Sequence, residues 1–147
     1  FDTSVGELGF EDYMRFIKPV LNQIADDVKA KHPDKKIIYY TKQTHLDLLE
    51  NLDAKSIDVL GIDWRIDIID ALKSLGSDYY VQGNVDPVWL HLKWEDLKDN
   101  LEKYKAKFKD FPELKKKWIA GLGHGVLVKT PEENVRSAVK FFQSIKV

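Results

Sequence analysis

Four times along this chain a short β-favouring run stops at polar or glycine residues and gives way to a helical segment with an apolar stripe, which narrows the possible folds more than any other feature. The last unit is the plainest. Trp118-Ile119-Ala120 reads as a buried strand that breaks off at Gly121 and Gly123, where backbone freedom is needed, and leaves His124 at its carboxyl end. Thr130-Pro131-Glu132-Glu133 then has the composition of a capping box, with an N-cap hydroxyl, a first-turn proline and a glutamate at the third position. Behind it Val135, Ala138, Val139, Phe142 and Ile145 recur at helical spacing and predict one apolar helix face.

The earlier units follow the same plan. Residues 1–9 read as the tail of a strand followed by a glycine-rich loop. Tyr13, Phe16, Ile17, Val20, Leu21, Ile24 and Val28 then predict a long amphipathic helix. Pro19 lies inside it and predicts a kink near Arg15 and Phe16, since an internal proline removes one backbone hydrogen bond. Ile37 to Tyr40 is a strand ending in Thr41-Lys42-Gln43-Thr44-His45, and Leu46, Leu48, Leu49 and Leu52 predict a short helix. Ile57 to Ile62 is the next strand, running into Asp63-Trp64-Arg65, with a helix from Ile66 to Leu75 stopped by Gly76. Tyr79 to Val81 follows, ending in Gln82-Gly83-Asn84-Val85-Asp86-Pro87. A helical region from Val88 to Phe108, interrupted near His91 to Trp94, and a lysine-rich connector from Lys105 to Lys117 lead into the last unit.

Strands alternating with helices imply a parallel sheet with right-handed crossovers. An open doubly wound sheet gathers its polar residues near one switch point, whereas a (β/α)8 TIM barrel places them at every strand's carboxyl end. Thr3, Lys42, Asp63, Asn84 and His124 stand at successive ends, which favours the barrel. A whole barrel takes about 250 residues. The 147 residues here have room for four units and the tail of a fifth strand, and the chain opens on Phe1 inside what reads as a strand. It is therefore expected to be a single domain or fragment, 1–147, amounting to the carboxyl-terminal half of such a barrel.

Composition excludes several roles. With 23 basic and 24 acidic residues the net charge is -1, so no overall field favours nucleic acid or an anionic membrane. No run approaches the roughly 20 apolar residues of a membrane span. The chain has no cysteine, which excludes disulfides and thiolate metal sites and fits a reducing compartment. The lysines of 105–117 lack interleaved aromatics and read as a solvated face. No Gly-x-Gly-x-x-Gly phosphate loop is present.

The segments Phe1-Asp2-Thr3, Gly61-Ile62-Asp63-Trp64-Arg65, Gln82-Gly83-Asn84-Val85-Asp86-Pro87 and Leu122-Gly123-His124-Gly125, in this order and spacing, closely resemble the carboxyl-terminal half of the uroporphyrinogen decarboxylases. The resemblance extends to Thr130-Pro131-Glu132-Glu133-Asn134-Val135 and covers essentially the whole chain. It implies a TIM-barrel carboxy-lyase of haem biosynthesis, a cytoplasmic homodimer that takes carbon dioxide from the four acetate side chains of uroporphyrinogen to give coproporphyrinogen, without metal or organic cofactor. It also implies that Thr3 and His124 line the cleft and contact substrate, that His124 is catalytic, and that Phe1 packs near the macrocycle. The family's central aspartate, carboxylate-binding arginines and active-site tyrosine belong to the other half. Gly121, where the family commonly has asparagine, and Val128-Lys129 depart from the family's pattern near His124.

The residues themselves allow plainer roles. A histidine can bind a carboxylate when protonated or move a proton near neutrality, and it can equally satisfy backbone groups in a glycine turn. The Thr3 hydroxyl can serve a carboxylate or cap a helix. Asp63 and Arg65 are expected to be an ion pair holding a loop over Trp64 rather than an acid and base in catalysis. Asn84 and Asp86 suit either a backbone-bonded turn or substrate contact. Lys42 and His45 suit either the cleft or a solvated loop, while His32 and His91 read as surface residues. Two other functions compete: a non-catalytic half-barrel scaffold or binding module, and a related cobalamin- or zinc-dependent methyltransferase, which the lack of cysteine disfavours. An unclosed half barrel exposes two sheet edges, so pairing with the missing half or self-association is expected.

Overall fold

The computed structural model describes residues 1–145. Its strands are β1 (Ile38–Tyr40), β2 (Val59–Gly61), β3 (Tyr80–Val85) and β4 (Trp118–Leu122), all parallel and hydrogen-bonded in the order β1-β2-β3-β4. A bridge between Asp2 and Thr41 adds the tail of a preceding strand on the far side of β1. Spatial order thus follows chain order without reversal. A doubly wound sheet reverses at its switch point, and this one does not; the arrangement is a barrel wall opened along two seams.

Two adjacent register rows define the faces. Tyr39, Leu60, Val81 and Trp118 form one row, and Tyr40, Gly61, Gln82 and Ile119 the next, pointing the opposite way. The first row lies under the helices: Trp118 stacks against Phe108 (4.7 Å between ring centroids), Phe142 (5.8 Å) and Tyr104 (5.9 Å). The second row faces the side that a closed barrel would make its interior. Ile38 and Tyr80 on that side are exposed.

The first helical segment runs through α1 (Phe10–Asp12), a π-helical stretch Tyr13–Ile17 and α2 (Lys18–Lys31). Pro19 cannot donate back to Arg15, and the distortion expected there takes the form of wider turns, with Lys18 N–H bonded to Tyr13 O. Its predicted stripe divides. Tyr13 and Ala25 are buried, with Ile17 and Leu21 packed against the core, but Phe16, Val20 and Ile24 are 56, 56 and 57% exposed. The apolar spacing is helical as read, yet half of that face is left uncovered by the described residues.

The next helices are α3 (Leu46–Glu50) and α4 (Ile68–Leu75). The latter starts two residues later than Ile66 because Asp67 caps it, its Oδ1 accepting from Ile69 N at 2.8 Å. A 3-10 turn, Pro87–His91, precedes α5 (Trp94–Ala106), which accounts for the interruption expected near His91. A second such turn, Pro112–Lys117, leads into β4, and α6 (Glu132–Gln143) closes the described chain.

Three expectations for the strands and caps are corrected. β3 extends through Val85 rather than stopping at Val81, because β4 pairs with it as far as Val85↔Leu122. β4 continues through Gly121 to Leu122 and is only partly buried, as the last strand of the described sheet. No capping box forms at α6: the Thr130 hydroxyl donates to Leu127 O at 2.7 Å, and Pro131 stands at the N-cap position without a side-chain bond. The expected α6 stripe is also incompletely covered, since Val139 is exposed and an apolar groove of about 350 Å³ opens between α6 and β4, lined by Leu90, Leu122, Val135 and Phe142 among others.

Candidate functional site

The strands' carboxyl ends converge at one end of the sheet, where the loops are tied to each other rather than to their own strands. Asp63, just beyond β2, is fully buried and accepts from three donors: Gln43 N at 2.7 Å, Arg65 N at 2.9 Å and Arg65 Nη1 at 2.6 Å. The Arg65 guanidinium also lies 4.5 Å from the Trp64 ring centre. This is the loop-holding ion pair expected from the sequence, and it also fixes the loop after β1.

Asn84 has an architectural place. Its amide nitrogen donates to Asp63 O at 2.9 Å and Ile66 O at 2.6 Å, and its oxygen accepts from the Tyr104 hydroxyl at 2.9 Å. Burial pushes the Tyr104 hydroxyl well above its ordinary pKa, although the Asn84 N–H that donates to its oxygen at 3.2 Å opposes the shift. Asp86 accepts from Val88 N at 2.9 Å and caps the following 3-10 turn. Lys42 is half-buried after β1, whereas His45 is exposed ahead of α3. His32 and His91 are exposed as read, and His91 Nε2 is 2.9 Å from the Thr130 hydroxyl.

The three residues singled out for the cleft are placed as follows. Phe1 is fully exposed, with its ring edge-on to Tyr40 at 5.6 Å. Asp2 is strapped to β1 by Asp2 N to Tyr40 O (2.8 Å), by Lys42 N to Asp2 O (3.2 Å), and by the Tyr39 hydroxyl donating to Asp2 Oδ2 at 2.9 Å. Tyr39 in turn meets the Tyr13 hydroxyl at 2.6 Å, and burial pushes both tyrosines up in pKa. Thr3 follows on this fixed residue and is exposed; the next turn, Val5–Glu7, starts from Ser4, so Thr3 caps nothing. His124 is half-buried, with Nδ1 3.3 Å from Gly125 O and with no hydrogen-bond partner at Nε2 among the described residues.

What links these residues is Tyr40, which sequence reasoning treated only as part of a strand. Its ring meets Phe1 and its hydroxyl donates to Gly123 O at 2.7 Å, beside His124. Thus Phe1 and the His124 turn are joined through one side chain, while no such contact reaches the Thr3 side chain among the described residues. The available signal was period-two alternation, which turns Tyr40 away from the helices. Gly123 is required by space, since a Cβ there would stand 2.6 Å from Trp64 N. Gly121 is not: a Cβ would meet Gln82 Cγ at an ordinary 3.7 Å.

Comparison with known proteins places this arrangement. The family model for uroporphyrinogen decarboxylase (URO-D) matches residues 1–145. Among curated relatives, a protein named uroporphyrinogen decarboxylase from Picosynechococcus sp. is 38% identical over 148 residues, covering 99% of this chain and 39% of its own length. One of the same name from Prochlorococcus marinus (strain MIT 9215) is 37% identical over 137 residues, covering 93% of this chain and 38% of its own. The chain thus spans about two fifths of the length of these relatives. With a match along its whole described length and the strand order of a barrel wall, the chain belongs to the uroporphyrinogen decarboxylase family.

Proposed function

We propose that this chain forms the carboxyl-terminal side of a uroporphyrinogen decarboxylase, a cytoplasmic carboxy-lyase that converts uroporphyrinogen to coproporphyrinogen by removing four acetate carboxyl groups. Residues 1–147 act as one unit. The observation that carries the reading is the convergence of Phe1, Tyr40 and the Gly123-His124 turn at the strands' carboxyl ends, within one chain of contacts of 5.6 and 2.7 Å.

Each acetate is lost after a proton adds to the ring carbon next to the one that bears it, which leaves a ring cation conjugated with the side chain. The carbon–carbon bond to the carboxyl group then breaks, its electron pair neutralises the cationic ring and carbon dioxide leaves. The exocyclic methylene left behind takes a second proton to become methyl, and the first proton leaves the ring carbon, so the pyrrole is restored and one proton is consumed per carboxyl group. The protein's work is to hold a polyanion and to favour charge that develops only in the transition state. His124, with Nε2 unengaged among the described residues, binds a substrate carboxylate when protonated or moves a proton; Thr3 donates its hydroxyl to a carboxylate oxygen, and Phe1 packs against the macrocycle.

The remaining cleft residues come from the other half of the barrel. Supporting that view, apolar surface is left uncovered by the described residues at both seams: Phe16 in the π-helical stretch with Val20 and Ile24 on α2, and the groove between α6 and β4. The complete enzyme is a homodimer. The test is to mix this chain with the complementary half and assay coproporphyrinogen. Activity that His124→Ala abolishes supports the assignment; a well-folded complex without activity refutes it and leaves a scaffold role.

A further inference from the structure

Tyr40 ends β1 and points away from the helices, but its side chain does not stay over its own strand. It runs along the inner face to the end of β4, where its hydroxyl donates to Gly123 O at 2.7 Å. On the neighbouring strand the paired residue is Gly61, and there a Cβ would stand 3.1 Å from Tyr40 Cδ2 and 3.2 Å from Tyr40 Cβ. The missing side chain on β2 is therefore the clearance through which the tyrosine passes.

At the far end Gly123 is held from two sides. Its Cα lies so close to the Asp63-Trp64 backbone that any Cβ would come within 2.6 Å of Trp64 N, while the Tyr40 hydroxyl engages its carbonyl. That carbonyl belongs to the same planar peptide unit as the N–H of His124. Fixing its direction fixes the plane from which the His124 side chain departs. Burial and the nearby Asp63 carboxylate push the Tyr40 hydroxyl above its ordinary pKa, with Arg65 opposing, so it remains a donor wherever an imidazole titrates.

We propose that Tyr40 is a positioning residue for His124, a strut from β1 to β4 that sets the orientation of the imidazole at the mouth of the sheet, with Gly61 as its clearance. The proposal rests on the reading of His124 as a cleft residue, but its test does not depend on turnover. Tyr40→Phe retains the ring and its contact with Phe1 and removes only the hydroxyl. In this chain, nitrogen-15 NMR of the His124 ring should show shifted or exchange-broadened signals in Tyr40→Phe, with the far-UV circular dichroism unchanged. Gly61→Ala, which keeps the hydroxyl but presses on the ring so that it must shift by a few tenths of an ångström, should give the same signature in weaker form, and the double variant should be no worse than Tyr40→Phe alone. Should Tyr40→Phe fail to fold, Gly61→Ala carries the measurement.

In the complex with the complementary half, kcat should fall about ten- to hundredfold in Tyr40→Phe with KM little changed, the size expected when a reacting group is displaced by about 1 Å. His124 signals identical to wild type in the folded variants overturn the proposal. Absence of turnover in the wild-type complex would refute the functional reading instead, with the imidazole signals still deciding whether Tyr40 orients His124.

Discussion

Replacing Asn84 by aspartate keeps the shape of the side chain and reverses what it offers its neighbours. The amide nitrogen now serves two buried carbonyls, Asp63 O at 2.9 Å and Ile66 O at 2.6 Å, and the residue is only 4% exposed. An ionised carboxylate would turn an oxygen on both carbonyls with little access to water. The folded variant therefore keeps its carboxyl protonated, able to serve one carbonyl, and its folded pKa is raised above the unfolded value of about 3.9. A raised folded pKa means stability that is fully present below the unfolded pKa and lost as pH rises through the folded one. At low pH one lost bond to a buried carbonyl costs about 1–3 kcal/mol. As pH rises, each unit up to the folded pKa costs about 1.4 kcal/mol more, adding about 3–4 kcal/mol if burial raises that pKa by about 2.5–3 units. Urea unfolding of both proteins, followed by circular dichroism at pH 4.5, 6 and 7.5, measures the gap directly. Asn84→Ala is the control, with a loss of about 2–4 kcal/mol that does not change with pH. A gap for Asn84→Asp that is flat in pH, or absent at pH 7.5, would refute the argument and mean that water reaches this site.

Two further perturbations probe other parts of the fold. Asp58 is partly buried where α2 meets the start of β1. Its desolvation is outweighed by Lys29 (2.7 Å), the Ile37 N–H (2.9 Å) and Lys36 (2.9 Å), which hold the carboxyl well below the usual range. A lowered pKa gives stability present above the unfolded value and lost as pH falls toward the folded one, so Asp58→Asn should cost about 1–2 kcal/mol at pH 7 and progressively less below about pH 4 in denaturant titrations. Tyr13, Tyr39, Tyr40, Tyr79 and Tyr104 are all raised, with burial the largest cause. Their contribution is present below about pH 10 and lost above it, so in a Tyr80→Phe background, which removes the exposed sixth tyrosine, absorbance of tyrosinate at 295 nm should appear together with loss of circular dichroism; tyrosinate forming in that folded variant at pH 10 would contradict the burial.

How much was legible in the sequence depends on how far each residue's partner lies along the chain. Strand starts and helix stripes were readable because they follow local apolar spacing, as at Ile68 to Leu75. The second half of β3 was not, because Gln82, Gly83 and Asn84 have the composition of a loop and become strand only through pairing with β4. The capping signature at Thr130 failed because Leu127 O competes for the hydroxyl. Along the first helical segment the periodicity was correct, but Phe16, Val20 and Ile24 are left uncovered by the described residues. The motifs placed Phe1 and His124 at strand ends, whereas the side chain connecting them depends on a contact from Tyr40 to Gly123, 83 residues away.

Consecutive strand order has a consequence for how the chain comes apart. Among the described residues each strand pairs only with its sequence neighbours, so breaking one ladder leaves the others intact, and structure can fray inward from either seam as a zip opens. β2 and β3, flanked on both sides, would exchange their amide hydrogens last, and β4 with α6 early. The tyrosine that reaches from the first ladder to the last is a stitch across that zip.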